Sequence, residues 1–104
     1  MTGHDINQTP AWAHLLTHYQ EVCHAHMRDW FEQDAQRFAK MHERLDGMLV
    51  DYSKNRINEE GLRLLTELAD AADLARWRER MFAGDKINLS EQRSVLHTAL
   101  RQPR

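Results

Sequence analysis

Asp46-Gly47 constrains the fold of this chain most, because an Asp-Gly pair between two short runs is a strong signal for a two-residue β-hairpin turn. The second run, Met48 to Ser53, has the apolar and aromatic content of a strand. The first, Phe38 to Leu45, is a poorer strand on propensity, since it carries Lys40, His42, Glu43 and Arg44. On either side the apolar residues recur with helical spacing. The chain therefore reads as mainly α with one short β-hairpin, an α+β arrangement.

Thr9-Pro10 opens the first helix: the Thr side chain can accept from a free backbone N–H, and Pro at the first helical position has no N–H to leave unpaired. Trp12, Leu15, Leu16, Tyr19, Val22 and Cys23 then recur at three- and four-residue steps, continuing through Met27, Trp30 and Phe31. Periodicity alone leaves open one long helix or two with a break near His24. Asn58 followed by Glu59 and Glu60 starts another helix, with a capping side chain and two carboxylates at the positive end of the dipole. Leu62, Leu65, Leu68, Ala69 and Ala72 form its expected buried stripe. Asp73 is expected to cap a short helix that buries Leu74, Trp77 and Met81 and stops at Gly84 in a left-handed conformation. Ser90 is expected to cap a last helix with Val95, Leu96, Ala99 and Leu100 on its apolar face, and Pro103 discourages continuation.

A length of 104 residues allows one small domain. Its 41% hydrophobic and 29% charged residues are the balance of a globular chain. Fourteen Lys and Arg against sixteen Asp and Glu give a net charge of −2, with no basic surplus for nucleic acid. No apolar run approaches the roughly 20 residues that span a bilayer, and the first ten residues lack the apolar centre of a signal peptide. Neither nucleic acid nor membrane is an expected partner, and the expected location is cytoplasmic. Cys23 is alone, which suits a reducing compartment.

Three groups of residues invite a functional reading. Ser53-Lys54-Asn55-Arg56 joins a strand to a helix, where free N–H groups and two cations could meet a phosphate. It contains no glycine to let the backbone wrap an anion, so Lys54 and Arg56 read better as solvated or locally paired. Of the seven histidines, His14 and His18 stand at i and i+4, a spacing that can bring two imidazoles to one metal, with Cys23, His24 and His26 following. His24 and His26 point about 160° apart on a helix, so a solvated histidine-rich face is the simpler account. His97 lies beside the apolar face of the last helix and reads as a hydrogen-bonded packing residue. Arg93 and Arg101 read either as structural ion-pair partners or as residues facing an active site. Trp12, Trp30 and Trp77 fall on apolar stripes and are expected in the core or as docking anchors.

Met48-Leu49-Val50-Asp51-Tyr52-Ser53-Lys54-Asn55-Arg56-Ile57, with Gly84-Asp85-Lys86-Ile87-Asn88 and Ser90 through Arg101, resembles the amino-terminal region of the glucose-6-phosphate isomerase family. The likeness extends through Thr9-Pro10-Ala11-Trp12, the Asp34 to Phe38 segment and Met81-Phe82. Departures are Ser94 where the family has Ala, and Gln102-Pro103-Arg104 where it continues with Asn-Arg. The resemblance implies paired strands at the Asp46-Gly47 turn, two helices upstream, and residues 9–104 as the amino-terminal part of an isomerase domain after a flexible 1–8 segment. It implies interconversion of glucose 6-phosphate and fructose 6-phosphate in glycolysis and gluconeogenesis. The family's phosphate-binding Ser/Thr cluster, its Glu base and its ring-opening His and Lys belong to later segments. No catalytic, substrate-binding or metal residue is therefore transferred to this chain, no cofactor is expected, and the chain alone is expected to be inactive. The implied partners are the remainder of the isomerase polypeptide, a second subunit in a homodimer, and a sugar phosphate in the complete enzyme. The alternatives are a stand-alone helical interaction protein derived from the isomerase scaffold, and a histidine-based metal binder.

Overall fold

A computed structural model describes residues 5–103. Of the 1–8 segment, residues 1–4 lie outside the described residues and Ile6–Gln8 form a single 3-10 turn. Helix α1 spans Pro10–Val22, and Thr9 caps it: Thr9 Oγ1 accepts from the Trp12 N–H at 3.3 Å while donating to the Ile6 carbonyl at 2.7 Å. The apolar periodicity then breaks, giving two helices rather than one. α1 ends at Cys23, and His26, in extended conformation, caps α2 (Met27–Gln33) by accepting the Arg28 N–H on Nδ1 at 3.1 Å. That acceptor role keeps Nδ1 unprotonated in this arrangement.

The next segment departs from the strand expected over Phe38 to Leu45, because Arg37–Lys40 forms one turn of helix, α3. Strand β1 is only His42–Leu45, antiparallel to β2, Met48–Asp51, in a register that places Leu45 opposite Met48 and His42 opposite Asp51. Asp46-Gly47 turns the chain as expected, with the left-handed backbone at Asp46 (φ 51°) rather than at the glycine. Apart from His42, both strands are exposed along their length. A two-stranded ribbon is marginal in water by itself. This one is anchored at its base, where Phe38 and His42 stack with ring centroids 4.5 Å apart and the Tyr52 N–H donates to the Met41 carbonyl.

Helix α4 spans Glu59–Ala71, and Asn58 caps it through Oδ1, which accepts the Gly61 N–H at 2.8 Å. It packs against α1 to form the principal helix pair. The buried residues differ from the expected stripe. Gly61 and Leu64 are buried, Leu62, Leu68 and Ala69 are half-buried, and Leu65 and Ala72 are exposed. The reason is close approach: a Cβ on Gly61 would meet His18 Nε2 at 3.4 Å, so the glycine, not a leucine, lies where the helices touch.

Helix α5, Leu74–Ala83, follows without a loop. Asp73 precedes it in a left-handed conformation (φ 60°), and its carbonyl, not its side chain, begins the helix by accepting the Trp77 N–H. Trp77 and Met81 are half-buried, whereas Leu74 is exposed. Gly84 ends the helix left-handed at φ 81°, as its position suggests.

The last expected helix does not form. Asn88 and Arg93 instead make an isolated antiparallel bridge, with Gln92 at φ 55° between them, and only Ala99–Arg101 turn, as a 3-10 helix. Ser90 caps nothing; its hydroxyl donates to Asn88 Oδ1. A helix this short needs its apolar face packed, yet Leu96 and Leu100 are exposed. The Asn88 side chain captures the turn first, accepting from both Ser90 and the Glu91 N–H.

The whole is a flat, open layer. Its extents are 47 × 39 × 17 Å and its radius of gyration is 17.8 Å, against about 13 Å for a compact chain of this length. Ala11, Met41 and Leu64 are the only fully buried apolar residues among those described.

Candidate functional site

The link between β2 and α4 is the best organised polar region. Arg37, only 4% exposed, reaches under it: Nε donates to the Ser53 carbonyl at 2.8 Å and Nη2 to the Asn55 carbonyl at 2.9 Å. The guanidinium lies 5.1 Å and 5.4 Å from the ring centres of Trp30 and Phe31, so two aromatic faces help hold a charge that burial would otherwise penalise. Ser53 itself is buried, and its backbone N–H is spent on Asp51 Oδ1 at 2.9 Å. Ser53, through both its side chain and its backbone N–H, holds the Asp51 carboxyl below the ordinary value, with Lys54 adding to the effect.

The segment turns its Ser53 and Asn55 carbonyls toward an internal cation. Lys54 pairs with Asp51 at 3.7 Å, and Arg56 Nη2 donates to the Cys23 and Ala25 carbonyls at the end of α1. Both cations are locally engaged, as their sequence context suggests. Arg37 was not legible as the organising residue. The available signal was a cation six and seven residues after two aromatic residues, which is weak without knowledge of the intervening turn.

The histidines go separate ways. His14 Nδ1 meets Glu67 Oε1 at 3.0 Å on the exposed side of α1, whereas His18 is buried with Nε2 3.0 Å from Asn58 Oδ1. His26 caps α2, and His42 Nδ1 donates to the Phe38 carbonyl at 2.6 Å. Among the described residues no group of three or more His, Cys, Asp and Glu side chains converges as a metal site would require. His97 corrects the expectation of a packing residue: it is exposed, because the helix that would have placed it is not formed. Arg93 and Arg101 are exposed too, and Arg93 contributes its backbone to the bridge with Asn88.

Two concave features remain. One is a polar hollow of about 190 Å³ beside Arg37, crossed by Lys40, whose Nζ lies 3.0 Å from Asp34 Oδ2 and 3.4 Å from Glu59 Oε1. The hydrogen bond from Lys40, followed by that from the Gln36 N–H, holds Asp34 below its ordinary value, and Asp34 then Glu59 raise Lys40. The charged groups on the hollow's lining are thus paired with one another. The other is an apolar groove of about 300 Å³ between α1 and α4, walled by Trp12, Leu16, Tyr19, Val22, Ile57 and Leu65, with His18 and Arg56 also on its lining.

The described residues thus form a helical layer with one antiparallel hairpin, a buried arginine clamp and an open apolar groove. The comparisons with known proteins identify the family. The phosphoglucose isomerase family model matches residues 51–104. Glucose-6-phosphate isomerase 2 of Chromobacterium violaceum is 56% identical over 99 residues, which is 95% of this chain and 18% of the relative. Glucose-6-phosphate isomerase of Chlorobium luteolum is 52% identical over 98 residues, 94% of this chain and 18% of the relative. Glucose-6-phosphate isomerase 2 of Neisseria gonorrhoeae is 54% identical over 95 residues, 91% of this chain and 17% of the relative. The chain belongs to the phosphoglucose isomerase family. It spans less than a fifth of the length of these curated relatives. Among the described residues no helix is long and apolar enough to cross a membrane.

Proposed function

We propose that the chain is the amino-terminal scaffold portion of a glucose-6-phosphate isomerase, the enzyme that interconverts glucose 6-phosphate and fructose 6-phosphate in the cytoplasm. In this reading residues 9–104 form part of a larger isomerase domain, supply none of its catalytic groups, and reach the sugar phosphate only through the assembled enzyme and its homodimer. The chemistry needs a phosphate cradle, a base that carries a proton between adjacent carbons, and groups that open the ring. The polar residues described above are committed elsewhere: Arg37 to two carbonyls, Lys40 to two carboxylates and His18 to a helix cap.

The observation that carries the proposal is the flat shape. A layer 17 Å thick with three fully buried apolar residues among those described is built to be covered, because its hairpin and its α1–α4 groove expose apolar side chains that a free-standing domain buries. The test is fragment complementation. The purified chain is expected to give no isomerase turnover above a blank, and to restore turnover when mixed with the part of the Chromobacterium violaceum isomerase that it does not match. Turnover by the chain alone that survives repurification would overturn the assignment of catalysis to other segments.

A further inference from the structure

We propose that Asp46-Gly47 is a site of self-modification, where the aspartyl residue isomerises to isoaspartate through a succinimide and becomes an acceptor for carboxyl methyltransferases that use S-adenosylmethionine. It is the one Asp-Gly pair of the chain, and there is no Asn-Gly pair. The reaction needs a backbone nitrogen that can reach the carboxyl of the residue before it. Glycine allows this, because no side chain restricts its rotation or the approach. A Cβ on Gly47 would meet nothing within 4 Å, so no neighbouring atom obstructs the nitrogen either. Among the described residues the Gly47 N–H donates to no carbonyl, and the exposed Asp46 carboxyl carries no ion pair or hydrogen bond.

A fold protects an aspartate by fixing its backbone, and here the fixing is weak. Leu45 and Met48, which close the turn, are 73% and 64% exposed, and both strands are exposed at this end. A two-stranded ribbon without packing opens at little cost. Asp46 sits at φ 51°, a region that a residue with a side chain holds only under constraint, so opening relaxes it. Asp51, at the end of β2, supplies the contrast. Its Oδ1 accepts the Ser53 N–H at 2.9 Å, and the nitrogen that follows it, that of Tyr52, donates to the Met41 carbonyl at 3.0 Å. Carboxyl and nitrogen are both engaged there, and both free at Asp46-Gly47.

In the first step the Gly47 nitrogen attacks Asp46 Cγ. The new C–N bond closes an imide ring, and the amide proton leaves with the carboxyl's hydroxyl as water. Water then adds back to one of the ring carbonyls. Opening at Cγ restores aspartate. Opening at the original main-chain carbonyl breaks its bond to the Gly47 nitrogen and leaves the chain running through Cβ and Cγ. No oxidant, reductant or cofactor is consumed and the composition is unchanged, but the turn gains one methylene and the α-carboxylate is set free. A methyltransferase would move the methyl group from the sulfonium of S-adenosylmethionine to an oxygen of that carboxylate.

The experiment ages the complete 104-residue chain in neutral buffer, cleaves it with trypsin, and reads the Leu45–Lys54 peptide, which holds both Asp46 and Asp51, by electron-transfer fragmentation. Isoaspartate at position 46 is expected to form at least about tenfold faster than at position 51, and within about tenfold of its rate in the free Leu45–Lys54 peptide. Gly47→Ala should slow it by at least about tenfold with unchanged far-ultraviolet circular dichroism, since the added methyl group meets no neighbour. Asp46→Asn should react faster through the same ring, losing ammonia in place of water. An isoaspartyl methyltransferase with labelled S-adenosylmethionine should label the aged chain and not the aged Gly47→Ala chain. Isoaspartate absent from position 46, spread evenly over the aspartates, or formed as fast with Gly47→Ala would overturn the proposal. A rate in the folded chain more than about tenfold below that of the free peptide would overturn it too, by showing that the turn protects its aspartate. An Asp46→Asn chain that reacts no faster would overturn the ring mechanism.

Discussion

His18 on α1 and Asn58 at the start of α4 meet through one contact, 3.0 Å from Nε2 to Oδ1, and the same oxygen accepts the Gly61 N–H at 2.8 Å. An amide oxygen only accepts, so His18 carries its proton on Nε2 in this contact. One side chain thereby caps a helix and another fastens that cap to the neighbouring helix. Asn58→Ala is expected to cost about 1–2 kcal/mol, since it removes the cap and strands the imidazole N–H. Urea denaturation of the two single variants and of the double with His18→Ala should give a coupling of at least about 0.5 kcal/mol. Additive losses would show that the contact is incidental.

Gly61 presents no side chain where α4 meets His18 of α1. A Cβ there would lie 3.3 Å from Asn58 Oδ1 and 3.4 Å from His18 Nε2, and the branched methyls of valine would press further into both. Gly61→Val is expected to destabilise the chain by about 1–3 kcal/mol despite removing a flexible residue from a helix. A midpoint unchanged in thermal melting would mean that α1 and α4 do not touch at this level.

Arg37→Met keeps most of the volume and removes the donors, leaving the Ser53 and Asn55 carbonyls unpaired beneath the link. The expected loss is about 2–3 kcal/mol. Arg37→Lys should rescue little of it, because a point ammonium cannot reach two carbonyls as a fork and stack between Trp30 and Phe31. Near-complete rescue by lysine would reduce the clamp to a simple charge effect.

Acid should weaken the fold in a defined window. Asp34, Asp51 and Glu60 are held below their ordinary values of 3.8, 3.8 and 4.5 by Lys40, Ser53 and Arg63 respectively. The folded chain therefore binds fewer protons than the unfolded one near those values. The stabilisation is fully present above the ordinary carboxylate range and is lost as pH falls through the lower folded values. The Asp34–Lys40 and Glu60–Arg63 pairs are exposed, so raising salt toward 1 M should flatten their part of the dependence, whereas the hydrogen bonds from Ser53 to Asp51 are not ionic and should persist. A urea midpoint that is flat from pH 5 to pH 2.5 at low salt would contradict it.

Leu49 on the hairpin is 46% exposed. Leu49→Lys should alter the stability of the chain by no more than about 0.5 kcal/mol while lowering the turnover recovered by complementation. Equal loss in both measurements would place Leu49 inside this layer's own packing instead of at a contact.

Local signals account for what could be read in advance. Thr9, Asn58, Gly84 and the Asp46-Gly47 turn act within three or four residues of themselves, and each does what its chemistry dictates. The last helix failed because Ser90 and the apolar face around Leu96 are sound local signals with nothing to pack against, while Asn88 offers the backbone a competing turn. Arg37 and the His18–Asn58 contact were hidden for another reason. They join residues 16 to 40 positions apart, and only the folded path brings them together. The phosphoglucose isomerase likeness was legible because it rests on runs of residues, not on long-range geometry.

At 17 Å, the layer is little more than one helix with its side chains deep. Deuterium reaching such a sheet of protein from both sides has almost no depth to cross. Amide exchange in the free chain should therefore finish early in the hairpin tip and the segment after Gly84, and last around Met41 and the α1–α4 seam. The slowest protons will map where this veneer is bonded to itself, and the fast ones the surfaces still waiting for adhesive.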